Sequence, residues 1–298
     1  MSRVLVVGSA NADLVVRTAR RPLAGETLPG SELVVIPGGK GSNQAQAAAR
    51  LGADVAFLGC VGRDGNGDLL HDALADAGVD VTGLGRVDAP TSVAVILVTP
   101  DGENSIIVCE GANSTVTPAL LREREDAWRD VGLVVMQLEV PVETVAFMAA
   151  ECGRRGVRFL LNAAPASTLD SEVLRACDPL VVNETEAALL LGADAADDPD
   201  RLLDGLLALG ARSAVLTLGA RGSVAVTDEG ERIARAAEHV EHVVDTTGAG
   251  DAFVGGLATV LGRGGPLADG VDLGTRAAAI SVQSLGAAAS YGRLAELR

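Results

Sequence analysis

The chain has 298 residues and a formal net charge of −16 at pH 7, with 48% hydrophobic but only 2% aromatic residues. So acidic a protein repels nucleic acid and anionic lipid, and any phosphate compound must therefore be bound by a local site. The first apolar run, residues 4–8, is too short for a signal peptide or a membrane span, and predicts a first strand.

The first third of the chain predicts a mixture of strands and helices. Extended segments at 14–17 and 32–36 are followed by an Ala-rich helix over 42–51, with Ser42 as its N-cap and Gly52 just past its end. A strand over 55–61 and a helix over 68–77, ended by Gly78, come next. Strands over 92–99 and 105–109 flank Pro100-Asp101-Gly102, which predicts a hairpin.

From about residue 115 the pattern becomes regular. Strands are predicted at 133–138, 157–161, 180–182, 214–218 and 223–227, and helices at 142–154, 184–191, 201–209, 252–261 and 274–284. This alternation predicts an α/β fold with a mainly parallel central sheet flanked by helices. We expect one domain over 1–298, in which segments 11–37 and 90–110 pair as a small β-sheet lid over a site.

The four cysteines, at 60, 109, 152 and 177, are widely spaced and have no His nearby. This spacing favours neither a zinc site nor a disulfide framework. We interpret them as buried free thiols in a reducing compartment, the cytoplasm.

The strongest chemical signal is the run Asp-Thr-Thr-Gly-Ala-Gly-Asp at 245–251, which precedes a helical stretch. Small residues at a helix start leave backbone N–H groups free to hold an oxyanion at the positive end of the helix dipole. Asp251 falls in the first turn, where a carboxylate could accept the proton of an attacking hydroxyl. Taken alone, the run is more typical of a Gly-rich loop capped by Asp, because Gly/Asp turns are abundant.

A second glycine run, Gly38-Gly39-Lys40-Gly41-Ser42-Asn43-Gln44, also leads into a helix but lacks the spacing of a Walker A loop. Lys40 is the only lysine of the chain, and Lys differs most from Arg at tight sites. An ordinary strand-to-helix turn is the alternative.

Polar residues follow several predicted strands. Asn11 and Asp13 follow the first strand and face the same way on extended chain, so they could grip vicinal hydroxyls. Glu139, Asn183 and Glu186 follow later strands. Because ligands of open α/β sheets bind beyond the carboxyl ends of strands, we expect a site here, although each residue alone is more often a cap.

Together these motifs resemble the ribokinase family of carbohydrate kinases over nearly the whole chain. The match rests on DTTGAGDAF (245–253), the glycine run with GCVGRD (59–64), and NETE (183–186), in family order. GSANAD (8–13), GGKGSNQA (38–45), QLE (137–139) and NETEA (183–187) favour the subgroup that phosphorylates the 5-hydroxyl of D-ribose with ATP.

The resemblance implies a role for each matching position. Asp251 would be the catalytic base, and the backbone of Gly248, Ala249 and Gly250 the anion hole. Substrate-binding residues would be Asn11, Asp13, Gly39, Lys40, Gly41, Ser42, Asn43 and Glu139, together with Asp251. Residues for ATP would be Asn183, Glu186, Thr217, Leu218, Gly219, Ala220, Arg221, Gly222, Gly250 and Thr275, with Asn183 and Glu186 also near hydrated Mg²⁺.

The resemblance also implies a K⁺ site. Because exposed lid edges invite pairing with a second copy, we expect a homodimer that pairs through the lids. The positions matching the K⁺ ligands are Asp245, Thr247, Ser281, Ser284, Gly286 and Ser290. The segment 287–290 is blander than the family pattern, and the residue at the Thr275 position varies in the family.

Other functions remain open. A kinase of fructose, a deoxy sugar acid or a nucleoside is the nearest alternative, although few aromatic residues are present for stacking on a base. A dinucleotide-binding dehydrogenase would need G-x-G-x-x-G after the first strand, where GSANAD stands. A non-catalytic sugar-binding protein on the same scaffold would be expected to lose Asp251 or the glycine turn.

Overall fold

Apolar strands and helices alternate along the chain in the computed structural model, which describes residues 3–101, 104–128, 130–194 and 198–297. The strands found within these ranges are, in chain order, β1 (Arg3–Val7), β2 (Asn11–Arg17), β3 (Val34–Gly38), β4 (Val55–Gly62), β5 (Leu84–Val87), β6 (Val93–Val98), β7 (Asn104–Cys109), β8 (Val131–Met136), β9 (Arg158–Asn162), β10 (Cys177–Asn183), β11 (Ser213–Thr217), β12 (Ser223–Thr227) and β13 (Arg232–Arg235).

Helices follow most strands of the central sheet. Those within the described ranges are α1 (Lys40–Arg50), α2 (Gly65–Asp76), α3 (Pro118–Glu123), α4 (Val142–Arg155), α5 (Ser171–Ala176), α6 (Glu184–Leu191), α7 (Pro199–Ala208), α8 (Ala249–Leu261) and α9 (Leu267–Ser281). None of them has the length and apolar character that a membrane span requires.

Within the described residues, the central sheet has nine strands in the order β13-β12-β11-β10-β9-β8-β1-β4-β5. The strands from β11 to β5 are parallel, and β12 and β13 extend one edge as antiparallel strands. The predicted mainly parallel sheet is thus confirmed.

The two faces of the sheet are both covered by helices. Leu5 and Val7 of β1 pack into a core shared with α3 to α7, whereas Val4 and Val6 pack into a core shared with α1, α2, α8 and α9. Successive side chains of a strand point to opposite faces, so a strand buried on both sides must be apolar at every position. This explains the unbroken Val-Leu-Val-Val run that marked the first strand.

The strand order reverses between β1 and β8. From β1 the chain moves outward to β4 and β5, and from β8 it moves the other way to β9, β10 and β11. The connections that leave the carboxyl ends of β1 and β8 therefore diverge and leave a crevice, where ligands of open α/β sheets bind.

A second sheet stands apart from the first, in the order β3-β2-β6-β7. The outer pairs are antiparallel, and β2 pairs with β6 in parallel. Its strands lie in the two segments predicted to pair with each other, except that β3 extends one residue further, to Gly38. Gly102 of the predicted hairpin turn lies outside the described residues.

Several boundaries differ from the predictions. Ser42 is not an N-cap: α1 begins at Lys40 and is capped by Gly39, because Gly39 can adopt a φ of 88°. The last helix begins at Leu267 and ends at Ser281, earlier than the predicted 274–284. The prediction missed β5, β13 and the short helices α3 and α5.

The cysteines are all free thiols, as predicted. Cys60, Cys152 and Cys177 are buried, and burial raises the pKa of each thiol. The prediction of burial is wrong for Cys109, which is exposed at the end of β7 on the edge of the second sheet.

Candidate active site

The site forms at the connection between β3 of the second sheet and α1. Gly39 makes this connection, and a Cβ atom there would lie 2.7 Å from the backbone nitrogen of Asn11. Glycine is therefore required twice over, for its positive φ and for the close approach of the two segments. The sharp turn starts α1 beside the carboxyl end of β1.

Asp251 lies in the first turn of α8 and is buried. Its two carboxylate oxygens accept hydrogen bonds from α1: Asn43 Nδ2 donates to Oδ2 at 3.0 Å, and Gln44 Nε2 donates to Oδ1 at 2.9 Å. Burial raises the pKa of Asp251, whereas Lys40 and the two amide donors act to lower it. The carboxylate is thus desolvated but held by directed donors, as a general base requires.

The N-terminus of α8 begins at Gly248, whose φ of 79° lies in the left-handed region. A Cβ atom on Gly248 would lie 2.6 Å from Ala287 Cβ, so the turn admits only glycine. The first N–H groups of the helix have no intrahelical acceptor and point toward its positive end. This turn can hold an anion next to Asp251.

Three carboxylates surround the one lysine of the chain. Glu139 accepts hydrogen bonds from the Ser9 hydroxyl and from the Lys40 backbone N–H, the latter at 2.9 Å. Burial, Glu139 and Asp251 together raise the pKa of Asp13 to about 7. Burial acts to lower the pKa of Lys40, but Asp251, Glu139 and Glu186 outweigh it, and the pKa is raised.

Asn11 is held by a residue that the sequence analysis missed. Asn113 Nδ2 donates to Asn11 Oδ1 at 2.7 Å, and Asn113 Oδ1 accepts from the Ala10 N–H at 3.1 Å. Because its oxygen accepts this bond, Asn11 has its NH₂ group to offer as a donor. Asn113 lies in a 3₁₀ turn between periodic segments, so no helix or strand pattern marked it.

A cavity of about 130 Å³ is lined in part by Asp251. It lies at the carboxyl ends of β9, β10 and β11 and against the first turn of α8, and its lining residues are Lys40, Asn162, Ala164, Val181, Val182, Asn183, Glu186, Thr217, Gly248, Gly250, Asp251 and Val254.

Asn183 and Glu186 belong to this cavity and also cap α6. Asn183 Oδ1 accepts from the Glu186 N–H, and Glu186 Oε2 accepts from the Asn183 N–H, both at 2.8 Å. Burial raises the pKa of Glu186, whereas the Asn183 N–H and Lys40 act to lower it. Asn183 is thus the N-cap of α6, the structural role that the sequence offered for it, and its capping box with Glu186 fixes both side chains at the cavity wall.

A second and larger cavity, about 640 Å³, adjoins the first through Thr217 and Gly250. Most of its wall is apolar or small, and the predicted nucleotide residues that line it are Thr217, Gly219, Ala220, Gly222, Gly250 and Thr275. Leu218 and Arg221 do not line it: Leu218 is buried, and Arg221 forms an ion pair with Glu184 at the surface.

Two of the predicted K⁺ positions, Thr247 and Gly286, are hydrogen-bonded to a third, Asp245. Its carboxylate accepts from the backbone N–H groups of Thr247 and Gly286, each at 2.9 Å. Burial acts to raise the pKa of Asp245, but these bonds outweigh it, and the pKa is lowered. Ser281 and Ser290 instead donate to carbonyls within their own turns, and the Ser284 N–H donates to the Ser281 carbonyl at 3.5 Å.

The structure thus brings Asn11, Asp13, Gly39, Lys40, Asn43, Glu139 and Asp251 to one place. Ser42 is fully buried: its hydroxyl accepts from Gln46, and its N–H donates to the Ser9 carbonyl. Gly41 packs against the backbone of Gly8 and Ser9. Binding roles for Ser42 and Gly41 stay predictions.

The chain is similar to known carbohydrate kinases in sequence and in structure. Residues 1–292 match the pfkB family of carbohydrate kinases. The chain is 40% identical to a ribokinase of Schizosaccharomyces pombe over 100% of this chain and 97% of that protein, and 35% identical to a deoxyribokinase of Salmonella typhi over 97% and 95%. The solved structure of Arabidopsis thaliana ribokinase with ribose and ATP superposes with a TM-score of 0.93, at 31% identity, over 99% of this chain and 97% of that one.

Proposed function

Since the chain belongs to the pfkB family of carbohydrate kinases, we propose that it transfers the γ-phosphoryl group of ATP to D-ribose and forms D-ribose 5-phosphate. One observation carries the proposal. Asp251 stands between a cluster of polar groups suited to a sugar and a cavity suited to phosphates, in the same helical turn as the bare amides of residues 248–250.

The sugar would bind in the polar cluster. Asp13 and Glu139 are acceptors for vicinal hydroxyls, and Asn11, Asn43 and Lys40 supply donors. Such a site recognises hydroxyls by hydrogen bonds and leaves buried groups unpaired when a hydroxyl is absent. This supports ribose over an acceptor that must be held by stacking.

Asp251 would accept the proton of the sugar hydroxyl as that oxygen attacks the γ-phosphorus. The bond to the new oxygen forms as the bond to the β-phosphate oxygen breaks, and ADP leaves. The N–H groups of Gly248, Ala249 and Gly250 would hold the transferred oxygens. Removing one such donor from an anion hole typically costs about 3 kcal/mol of transition-state stabilisation.

The nucleotide would lie across both cavities. Its phosphates would sit near Asn183 and Glu186 in the smaller one, and its base and ribose in the larger apolar one near Thr275. Phosphoryl transfer depends on placing the two substrates in line, and Gly250 lines both cavities at the point where they meet.

Mg²⁺ fits this site as a nucleotide-bound ion. Within the described residues no group of three or more His, Cys, Asp or Glu side chains could hold a metal by itself. Glu186 gives one carboxylate at the cavity wall, which suits an ion that keeps most of its ligands as phosphate oxygens and water. When bound, Mg²⁺ neutralises charge on the phosphates.

K⁺ also fits, because the groups around Asp245 offer a carboxylate and backbone oxygens, the hard donors that such a cation takes. The candidate ligands remain Asp245, Thr247, Ser281, Ser284, Gly286 and Ser290. We propose that a cation here would stabilise the turn that leads into α8.

We further propose that the second sheet is a lid over the sugar and that two copies pair through it as a homodimer. Val34, Val35, Ile106, Ile107 and Val108 of its outer strands are exposed apolar side chains. An apolar sheet edge is a template for pairing with another chain. A cytoplasmic location is supported by four free thiols.

The substrate is tested by measuring ATP consumption with ribose, 2-deoxyribose, fructose, a deoxy sugar acid and adenosine. We expect ribose to give the highest kcat/KM. Since a site that hydrogen-bonds a hydroxyl discriminates strongly against its loss, 2-deoxyribose should be poorer. Deoxyribose equal to or better than ribose would favour the deoxyribokinase-like alternative, and no turnover with any sugar would end the kinase proposal.

The role of Asp251 is tested by Asp251→Asn. We expect turnover to fall by at least about 1,000-fold, because the amide cannot accept the proton, while ribose binding by calorimetry stays within about tenfold. Asp269→Asn, in the exposed first turn of α9, is the matched control and should keep normal turnover. Near-normal turnover in Asp251→Asn would contradict the assignment.

A further inference from the structure

A buried glutamine on the same helix as Asn43 also touches the carboxylate of Asp251. Gln44 Nε2 donates to Asp251 Oδ1 at 2.9 Å and to Asn162 Oδ1 at 3.0 Å, and Gln44 is almost fully buried. Gln137 Nε2 in turn donates to Gln44 Oε1 at 2.6 Å. Three amides from α1, β9 and the end of β8 thus converge behind the proposed base.

The hydrogen-bond pattern fixes the direction of each amide. Asn162 Nδ2 donates to the Val181 carbonyl at 3.2 Å, so Asn162 must turn its oxygen toward Gln44. Both hydrogens of Gln44 Nε2 are then used, one for Asn162 and one for Asp251. The remaining oxygen of Gln44 faces Gln137. Gln44 can therefore present only a donor to Asp251.

An unsatisfied atom shows that this arrangement is not the best one for stability alone. Gln137 Oε1 is buried and has no hydrogen-bond partner within the described residues. A Cβ atom on Gly8 would collide with it, so only glycine leaves room for this amide. A buried acceptor without a partner costs free energy and calls for an explanation. The hydrogen bond that Gln137 donates to Gln44 supplies that explanation.

The charged and titratable groups near Asp251 come from several elements. Lys40 on α1 favours its ionised form, and Glu139 after β8 opposes it. Asp13 on β2 and Tyr291 near the C-terminal end also interact with it electrostatically. Gln44 differs from all of these, because it is neutral at every pH and acts only by the direction of its donor.

We propose that Gln44 is a positioning residue of the phosphoryl transfer, which holds the Asp251 carboxylate in one orientation and favours its ionised form, and that Gln137 and Asn162 lock Gln44 in place. The inference rests on the proposed role of Asp251 as the base. Asn43 lies in the sugar cluster and holds the other oxygen, whereas Gln44 stays behind the carboxylate.

The test compares two glutamines of one helix. Gln44→Met keeps the length of the side chain but removes the donor, and Gln46→Met is the matched control. Gln46 is as buried as Gln44 but donates to the Ser42 hydroxyl. We expect Gln44→Met to lower kcat by roughly 10- to 100-fold at neutral pH, the usual effect of a lost hydrogen bond to a charged group.

Two further readouts separate positioning from a structural role. Loss of a donor raises the pKa of the carboxylate, so the acidic limb of the kcat–pH profile should move up by about one pH unit or more. The KM for ribose should change less than about threefold. Gln46→Met should lower thermal stability by about as much as Gln44→Met does, but it should not shift the kcat–pH profile.

The inference is overturned if both variants lose turnover equally, if only KM changes, or if the acidic limb stays where it is. If Gln44→Met fails to fold, Gln137→Met should show a smaller shift of the acidic limb in the same direction. An unshifted kcat–pH profile in Gln137→Met would then overturn the inference. The Asp251→Asn variant distinguishes a failure of this inference from a failure of the proposed function. If Asp251→Asn is inactive and Gln44→Met is normal, the proposed function stands and this inference fails.

Discussion

Asp13→Asn should make the ligand-free protein more stable at alkaline pH while it weakens sugar binding. Asp13 is partly buried between Glu139 and Asp251, and its pKa is raised from 3.8 to about 7. The folded chain therefore binds this proton more tightly than the unfolded chain does. A site that collects carboxylates for sugar hydroxyls is unfavourable for folding until the sugar binds.

The sign and size of the effect follow from proton linkage. Stabilisation by the protonated Asp13 is complete below about pH 4, falls as pH rises toward 7, and is gone above it. With the two pKa values given, the wild-type protein loses about 2.5 kcal/mol of unfolding free energy between pH 5 and pH 8 through this one carboxyl. Asn cannot titrate, so the variant is spared that loss.

Urea unfolding of both proteins at pH 5 and pH 8, without ligands, measures the difference. We expect the stability of Asp13→Asn relative to wild type to rise by about 2 to 3 kcal/mol between the two pH values. Asp76→Asn, at the exposed end of α2, controls for loss of a charge and should stay within about 0.5 kcal/mol of wild type at both. A relative stability of Asp13→Asn that is independent of pH would refute the reasoning.

Two further variants test the anion turn and the single lysine. Gly248→Ala should lower the free energy of unfolding by about 2 kcal/mol or more, because Ala is strained at a φ of 79° and its methyl group would press on Ala287. The control in urea unfolding is Gly250→Ala, whose added Cβ has no atom within 4 Å. Equal stability of the two variants would contradict this account. Lys40→Met should move the acidic limb of the kcat–pH profile to higher pH, because Lys40 acts to lower the pKa values of Asp251 and Glu186. Lys40→Arg keeps the positive charge and should move the acidic limb less. An unchanged profile in Lys40→Met would exclude this electrostatic role of Lys40.

The fold was largely predictable where strands are buried on both faces. The runs that became β1 and β8 are apolar at nearly every position because helices cover both sides of the sheet. The edge strand β13 was missed because two of its four residues are arginines and only Ile233 is buried. The start of α9 was missed because Gly270 interrupts its pattern, although that glycine packs against Leu257 of α8.

The site was predictable in its residues but not in its couplings. Sequence motifs marked Asp251 and Asn43, yet nothing local relates them to each other. No role was predicted for Gln44 or Asn113, because their importance lies entirely in partners from other elements. The pKa of Asp13 depends on Glu139 and Asp251, which only the folded chain brings near.

The bond between Asn43 and Asp251 joins positions 208 residues apart. A chain emerging from the ribosome has therefore made nearly all of its central sheet before the proposed base and its partners can meet. No partial product ending before α8 could hold the finished pocket, whatever secondary structure it had formed. Turnover in this protein is accordingly a late signal of folding, and during renaturation it should return after the helical signal has recovered.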